Sequence, residues 1–141
     1  ESNRISRMIS LKTGNFFTFA LKRMNKIYYL KTCDTCKRIL KSIPEVHRFE
    51  LQDIKEHPLT VKQLEELVVL SGSYEVLFSK RAKLYKEMGL KDEVLSEADF
   101  KRYILEHYTF LNRPVIIFNN RIFIGNSPKT QKQMLEALSH E

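Results

Sequence analysis

The placement of two cysteines between a strand and a helix constrains this chain more than any other feature. Lys26-Ile-Tyr-Tyr-Leu-Lys31 is a short β-branched and aromatic run that reads as a strand, and Cys33-Asp34-Thr35-Cys36 follows at once at the start of a helical pattern. The first N–H groups of a helix have no partner within it and together carry about half a positive charge. An anion is stabilised there, and a thiol at such a site can fall from its ordinary pKa of about 8.5 to 7 or below. Cys36 stands one turn further on, on the same face and within reach of a disulfide. Attack by a Cys33 thiolate and resolution by Cys36 is the division of labour that follows. Asp34 opposes the activation, whereas Lys31 and Lys37 support it. Two other readings of the pair stay open. One is half of a zinc site, against which stand the absence of a third Cys and of paired spacing among His47, His57, His107 and His140. The other is a pair of inert buried thiols. None of the four histidines sits in a base-nucleophile motif, and no metal is expected.

The remaining pattern supplies the frame. The first helix runs to about Ile43, where Pro44 ends it, and the alternation over Val46 to Leu51 suggests a second strand. Thr60 is a good N-cap for a helix carrying Val61, Leu64, Leu67 and Val68 up to Gly72. A further helical piece is expected over about 74–88, stopping at Gly89. Another begins at Ser96, with Asp99 three residues on, and carries Phe100, Tyr103, Ile104 and His107 on one side. Val115 to Phe118, an Asn119-Asn120 turn and Arg121 to Ile124 read as a hairpin, and Ser127-Pro128 opens a last helix through Leu138. The order β-α-β, helices, β-β-α implies an α/β, thioredoxin-like fold. A βαβ unit and a ββα unit would share one mixed four-stranded sheet, with an inserted helical segment at about 60–108.

Charge narrows the partners. The net charge of +7 is concentrated at the start: between Ser2 and Cys33 there is no acidic residue, against seven Lys and Arg, while from Asp34 onward 17 basic residues face 16 acidic ones. Residues 24–141 therefore read as the domain and 1–23 as a basic N-terminal extension, with an organelle leader as a minor reading. The nearly balanced body shows no general basic patch of the kind that holds nucleic-acid backbones. The longest early apolar run, Phe16 to Leu21, is far below the roughly 18 to 20 residues needed to cross a bilayer, so no membrane partner is expected. Two cysteines at C-x-x-C spacing point to a reducing compartment, the cytoplasm by default.

On four segments the sequence resembles the arsenate reductase ArsC, YffB and Spx family, from Asn25 to the C terminus. Lys26 to Arg38 is similar to the family's first strand, catalytic Cys and basic helix start, with the Cys-Asp-Thr of the YffB branch and the C-x-x-C of the Spx branch. Leu77-Phe-Ser-Lys-Arg81-Ala-Lys-Leu-Tyr85 resembles the inserted segment whose arginine helps bind the substrate oxyanion. Leu111-Asn-Arg113-Pro114-Val-Ile-Ile resembles the Arg-Pro before the third strand, and Phe123-Ile-Gly125-Asn-Ser-Pro the turn into the last helix. The resemblance implies a cis Pro114 facing the Cys33 thiol, with the Arg113 guanidinium able to hold an oxyanion or stabilise the thiolate. Arg81, in a Lys80-Arg81 pair on an expected exposed helix, has a solvated surface residue as its competing reading.

One departure bears on substrate. Arsenate reductases of this type carry a further arginine in the turn after the fourth strand, where this chain has Gly125-Asn126, and Arg121 falls at the other end of that strand. A pocket with two arginines should bind arsenate less well. The first expectation is therefore an enzyme, a thiol-disulfide oxidoreductase with Cys33, Cys36, Arg113 and Pro114 at its centre and Arg81 and Arg113 toward substrate. It would act on a small oxyanion or disulfide, with no bound cofactor and with glutathione, thioredoxin or glutaredoxin as electron donor. The second is a Spx-like redox-switched transcriptional regulator that binds RNA polymerase.

Overall fold

A computed structural model describes residues 25–140. The expected basic extension at 1–23 lies outside the described residues. Four strands form one mixed sheet: β1 (Lys26–Tyr29), β2 (Glu50–Asp53), β3 (Val115–Phe118) and β4 (Arg121–Ile124), in the order β2-β1-β3-β4. β1 pairs parallel with β2 and antiparallel with β3, and β3 pairs antiparallel with β4. The helices are α1 (Asp34–Ser42), α2 (Val61–Ser71), α3 (Lys83–Glu87), α4 (Glu97–Glu106) and α5 (Pro128–Ser139). The class is α/β, with β1-α1-β2 and β3-β4-α5 around a helical insertion, as the element order implied.

The strand period of two divides the core into two layers. From β1, Ile27 packs on one side with Ile39 of α1 and Met134 of α5, while Tyr28 packs on the other with Leu64 and Leu67 of α2 and Tyr103 and Ile104 of α4. β3 is buried along its whole length, with Ile116 and Phe118 toward α1 and α5 and Val115 and Ile117 toward the insertion. A sheet covered on both faces needs such a continuous apolar strand. Because α2 and α4 cover the second face, the insertion is half of the core rather than an appendage.

Local chemistry sets the boundaries. Thr60 and Gln63 form a capping box at α2, and Ser96 and Asp99 form one at α4. α2 ends at Gly72, whose φ of 95° suits glycine, and Ser127 caps α5 with Pro128 in the first turn. Asn119 and Asn120 both adopt positive φ, the requirement of a two-residue hairpin turn.

Three expectations need correction. The second strand is Glu50–Asp53 rather than 46–51, and Val46–Arg48 is a 3-10 turn. β2 has one strand neighbour and an exposed first half, so its side chains lack the clean alternation that marks a half-buried strand, and pairing of Lys26 with Glu50 sets its start. The expected helix over 74–88 is also broken. Glu75–Leu77 is a 3-10 turn, Phe78 bridges to Leu111, and only Lys83–Glu87 is α-helical. The Ser79 N–H donates to the Phe110 carbonyl at 2.7 Å and the Asn112 N–H to that of Leu77 at 2.8 Å. These tertiary hydrogen bonds use groups that a continuous helix would have bonded internally. Similarly, His107 ends α4 in extended conformation instead of continuing its buried face.

Candidate active site

Cys33 occupies the N-cap of α1, in extended conformation with φ −89° and ψ 118°. Its own backbone is tied on both sides: the N–H donates to the Leu30 carbonyl at 3.0 Å, and the carbonyl accepts from the Lys37 N–H at 3.0 Å. No side-chain hydrogen bond caps this helix. The amides of Thr35 and Cys36, at the second and third helical positions, favour the charged form of the Cys33 thiol at the place where a Ser or Thr oxygen would ordinarily accept. Partial burial alone would raise the Cys33 pKa. The Cys36 and Thr35 amides, the Cys36 side chain and the Arg113 charge together outweigh that and hold it below its ordinary value.

Cys36 is its opposite. It is fully buried, and this burial pushes its thiol up to about 11. The nearness of the two side chains lowers the Cys33 pKa and raises that of Cys36. Both residues are free thiols. Asp34 and Lys37 pair with each other at 3.8 Å in solvent, so their opposing influences on Cys33 are screened.

The Arg113-Pro114 peptide bond is cis, as the resemblance implies. Arg113 is held from several sides. One guanidinium nitrogen donates to the carbonyls of Thr109 and Leu111, both at 3.2 Å, and Nε is buried without a partner among the described residues. The carbonyl of Arg113 accepts from the Asn126 side-chain amide at 3.2 Å, and that of Pro114 from the Gly125 N–H at 2.9 Å. Gln131 of α5 in turn donates to the Asn126 carbonyl at 3.0 Å. The turn after β4 is thereby fastened to the Arg-Pro bend.

Cys33, Arg81 and Arg113 share one open cleft of about 810 Å³, together with Thr35, Asn112 and Asn126. Pro114 is buried. Arg81 is exposed and belongs to a turn, not to the expected helix, and that turn brings it to the cleft. Arg121 lies elsewhere, over the Phe123 ring at 5.0 Å and beside Gln133 and His140. Two arginines therefore face the thiol cleft.

Sequence reasoning missed Asn112 and Asn126. Asn112 donates its side-chain amide to the carbonyls of Val76 and Phe78, both at 3.1 Å, and so straps the segment leading to Arg81 onto the chain that leads to Arg113. The one available signal was adjacency: each is a short polar residue inside a segment already singled out for another residue.

A family model described as the ArsC family matches residues 28–134. Among curated proteins, the chain is 27% identical over 105 residues to the global transcriptional regulator Spx 1 of Bacillus cereus, covering 72% of this chain and 79% of that protein. It is 28% identical over 114 residues to the uncharacterized protein YfgD of Escherichia coli, covering 79% and 93%. Among solved structures, an ArsC family related protein from Bacteroides fragilis superposes with TM-score 0.66 at 19% identity, covering 80% of this chain and 98% of that one. An arsenate reductase from Vibrio cholerae superposes with TM-score 0.60 at 24% identity, covering 81% and 98%. At these identities the structural likeness establishes the shared thioredoxin-like fold.

Proposed function

The chain belongs to the ArsC family, and from that premise we propose that it is a thiol-disulfide oxidoreductase working through Cys33. The observation that carries the reading is the opposite treatment of two thiols one turn apart. The lowered one opens to a cleft with two arginines, and the raised one is buried behind it. The first is more readily available as a nucleophile than an ordinary thiol, while the second stays protonated until it is needed.

In the proposed cycle, the Cys33 thiolate attacks one sulfur of an oxidised thiol substrate. A mixed disulfide forms and the substrate's other half leaves as a thiolate. Cys36 gives up its proton to that thiolate or to solvent, attacks Cys33 Sγ and expels the second thiolate. This leaves a Cys33-Cys36 disulfide, and an external thiol donor of the glutathione, glutaredoxin or thioredoxin class returns the two electrons. An oxyanion is the other substrate class, with Arg113 and Arg81 holding its charge. The Asn126 amide replaces a third cation in the turn after β4 and favours a less highly charged substrate than arsenate. The cytoplasm, where such donors are kept reduced, is the proposed location. Among the described residues no helix is long and apolar enough to cross a membrane.

The relatives named as the global transcriptional regulator Spx support a second reading, in which the same pair is a redox switch and the partner is RNA polymerase. Thiol-dependent reductase assays on the wild type, Cys33→Ser and Cys36→Ser separate the two. Full loss in the first variant and partial loss in the second is the expected result. Absence of turnover with any thiol donor, together with redox-dependent retention of polymerase, would move the assignment to the regulator.

A further inference from the structure

A second cavity, of about 210 Å³, opens on the insertion side between the end of β2 and the end of α4. Its walls are mainly apolar, from Ile54, Leu59, Ile104, Leu105 and Leu111. Leu111 also lines the thiol cleft and separates the two spaces. For scale, an engineered apolar cavity of about 150 Å³ stays dry and takes up benzene. The present one has room for a ring of that size and a small substituent.

Four polar side chains, Lys55, Glu106, His107 and Tyr108, lie on its lining, and the first three define the substituent. Glu106 is already paired with Arg102 at 3.5 Å. Lys55 has no ion-pair partner among the described residues, and its ammonium lies 5.8 Å over the Tyr108 ring, another lining residue. The His107 ring is fixed by stacking on Tyr108 at 4.6 Å, and its Nδ1 accepts from the Thr109 N–H at 3.2 Å. The Thr109 hydroxyl lies 2.7 Å from the same Nδ1, and with Nδ1 accepting, the ring proton sits on Nε2, which has no partner among the described residues. The cavity thus combines an apolar body with one unpaired cation and one N–H donor, while its single carboxylate is neutralised from outside.

We propose that this cavity is a ligand site, separate from the thiol cleft, for a small apolar molecule bearing one carboxylate, with the body against Leu59, Ile104 and Leu105 and the carboxylate toward Lys55 and His107. The site does not rest on the Cys33 chemistry.

Benzoate titrated into the full chain, followed by NMR of the amides of residues 54–59 and 104–111, is the test. Saturable shifts confined to those residues are expected, with benzyl alcohol binding more weakly. Lys55→Gln alters an exposed side chain and should weaken benzoate about two- to fivefold, the worth of an exposed ion pair, without changing the affinity for benzyl alcohol. Leu105→Trp should abolish binding of both by filling the space, and Cys33→Ser should bind as the wild type does. Linear, non-saturating shifts in the wild type would overturn the proposal. So would equal benzoate affinity in Lys55→Gln, or loss of binding in Cys33→Ser, which would assign the probe to the thiol cleft.

Discussion

The side-chain amide of Asn126 donates to the backbone carbonyl of Arg113 across 3.2 Å, so the turn leaving β4 holds the bend that carries the cleft's guanidinium. Asn126 is itself held by Gln131, which extends the support into α5. Asn126→Ala removes one half-buried hydrogen bond and should cost about 1 kcal/mol in urea unfolding. The same change should slow thiol-dependent turnover more than so small a loss of stability explains, because Arg113 is no longer held against Cys33.

The pH dependence of Cys33 has a definite sign. Its folded-state pKa lies below the ordinary thiol value through the Cys36 and Thr35 amides and the Arg113 charge. Alkylation rate against pH should therefore turn over below the midpoint of the unfolded chain, and Arg113→Ala should move that midpoint upward. A depressed folded-state pKa contributes stability that is present above the unfolded pKa and lost as pH falls through the folded one. Turnover in Arg113→Ala should fall roughly 10²-fold, the usual effect of losing one charge-stabilising donor. An unchanged alkylation midpoint would remove Arg113 from the account.

Cys36 behaves in the opposite sense. Burial raises it to about 11, well above an ordinary thiol, so the folded protein keeps a proton that the unfolded chain releases. Its contribution is fully present below the unfolded value and is lost as pH climbs toward 11. Tyr28, raised by burial and by the nearby Glu66 and Glu50, adds a loss of the same sign at still higher pH. Wild-type stability in urea should therefore decline between roughly pH 9 and 11, and Cys36→Ala should decline less steeply. Parallel curves would show that Cys36 titrates as an ordinary thiol.

Asn112 makes the insertion part of the site. Asn112→Ala leaves the Val76 and Phe78 carbonyls without their side-chain donor and should destabilise the chain by about 1–3 kcal/mol. The specific signature is local. Hydrogen exchange at the Ser79 amide, which donates to Phe110 at 2.7 Å, should quicken more than exchange at Ile27 or Ile116 in the central strands. Uniform acceleration at all three would make Asn112 an ordinary stabilising residue.

Much of the fold was legible in sequence because its signals are local. The boundaries of α2, α4 and α5 follow from caps at Thr60, Ser96 and Ser127, and the β3-β4 hairpin from two asparagines that tolerate positive φ. The position of Cys33 at a helix opening needed only the change of period between Leu30 and Ile39. The segment 74–88 misled because its composition suits a helix, while the hydrogen bonds of Val76 to Ser79 with Phe110 and Asn112 reach more than thirty positions away.

The sequence by itself thus determined the order of elements and the placing of a thiol against unpaired amides, since each depends on neighbours within a turn or two. Only the tertiary structure decided that Arg81 and Arg113 share the cleft of Cys33, that Arg121 does not, and that Asn112 and Asn126 hold the arrangement together. These are contacts between distant parts of the chain, and no periodicity or propensity encodes where a surface side chain meets a partner that the sheet order brings beside it.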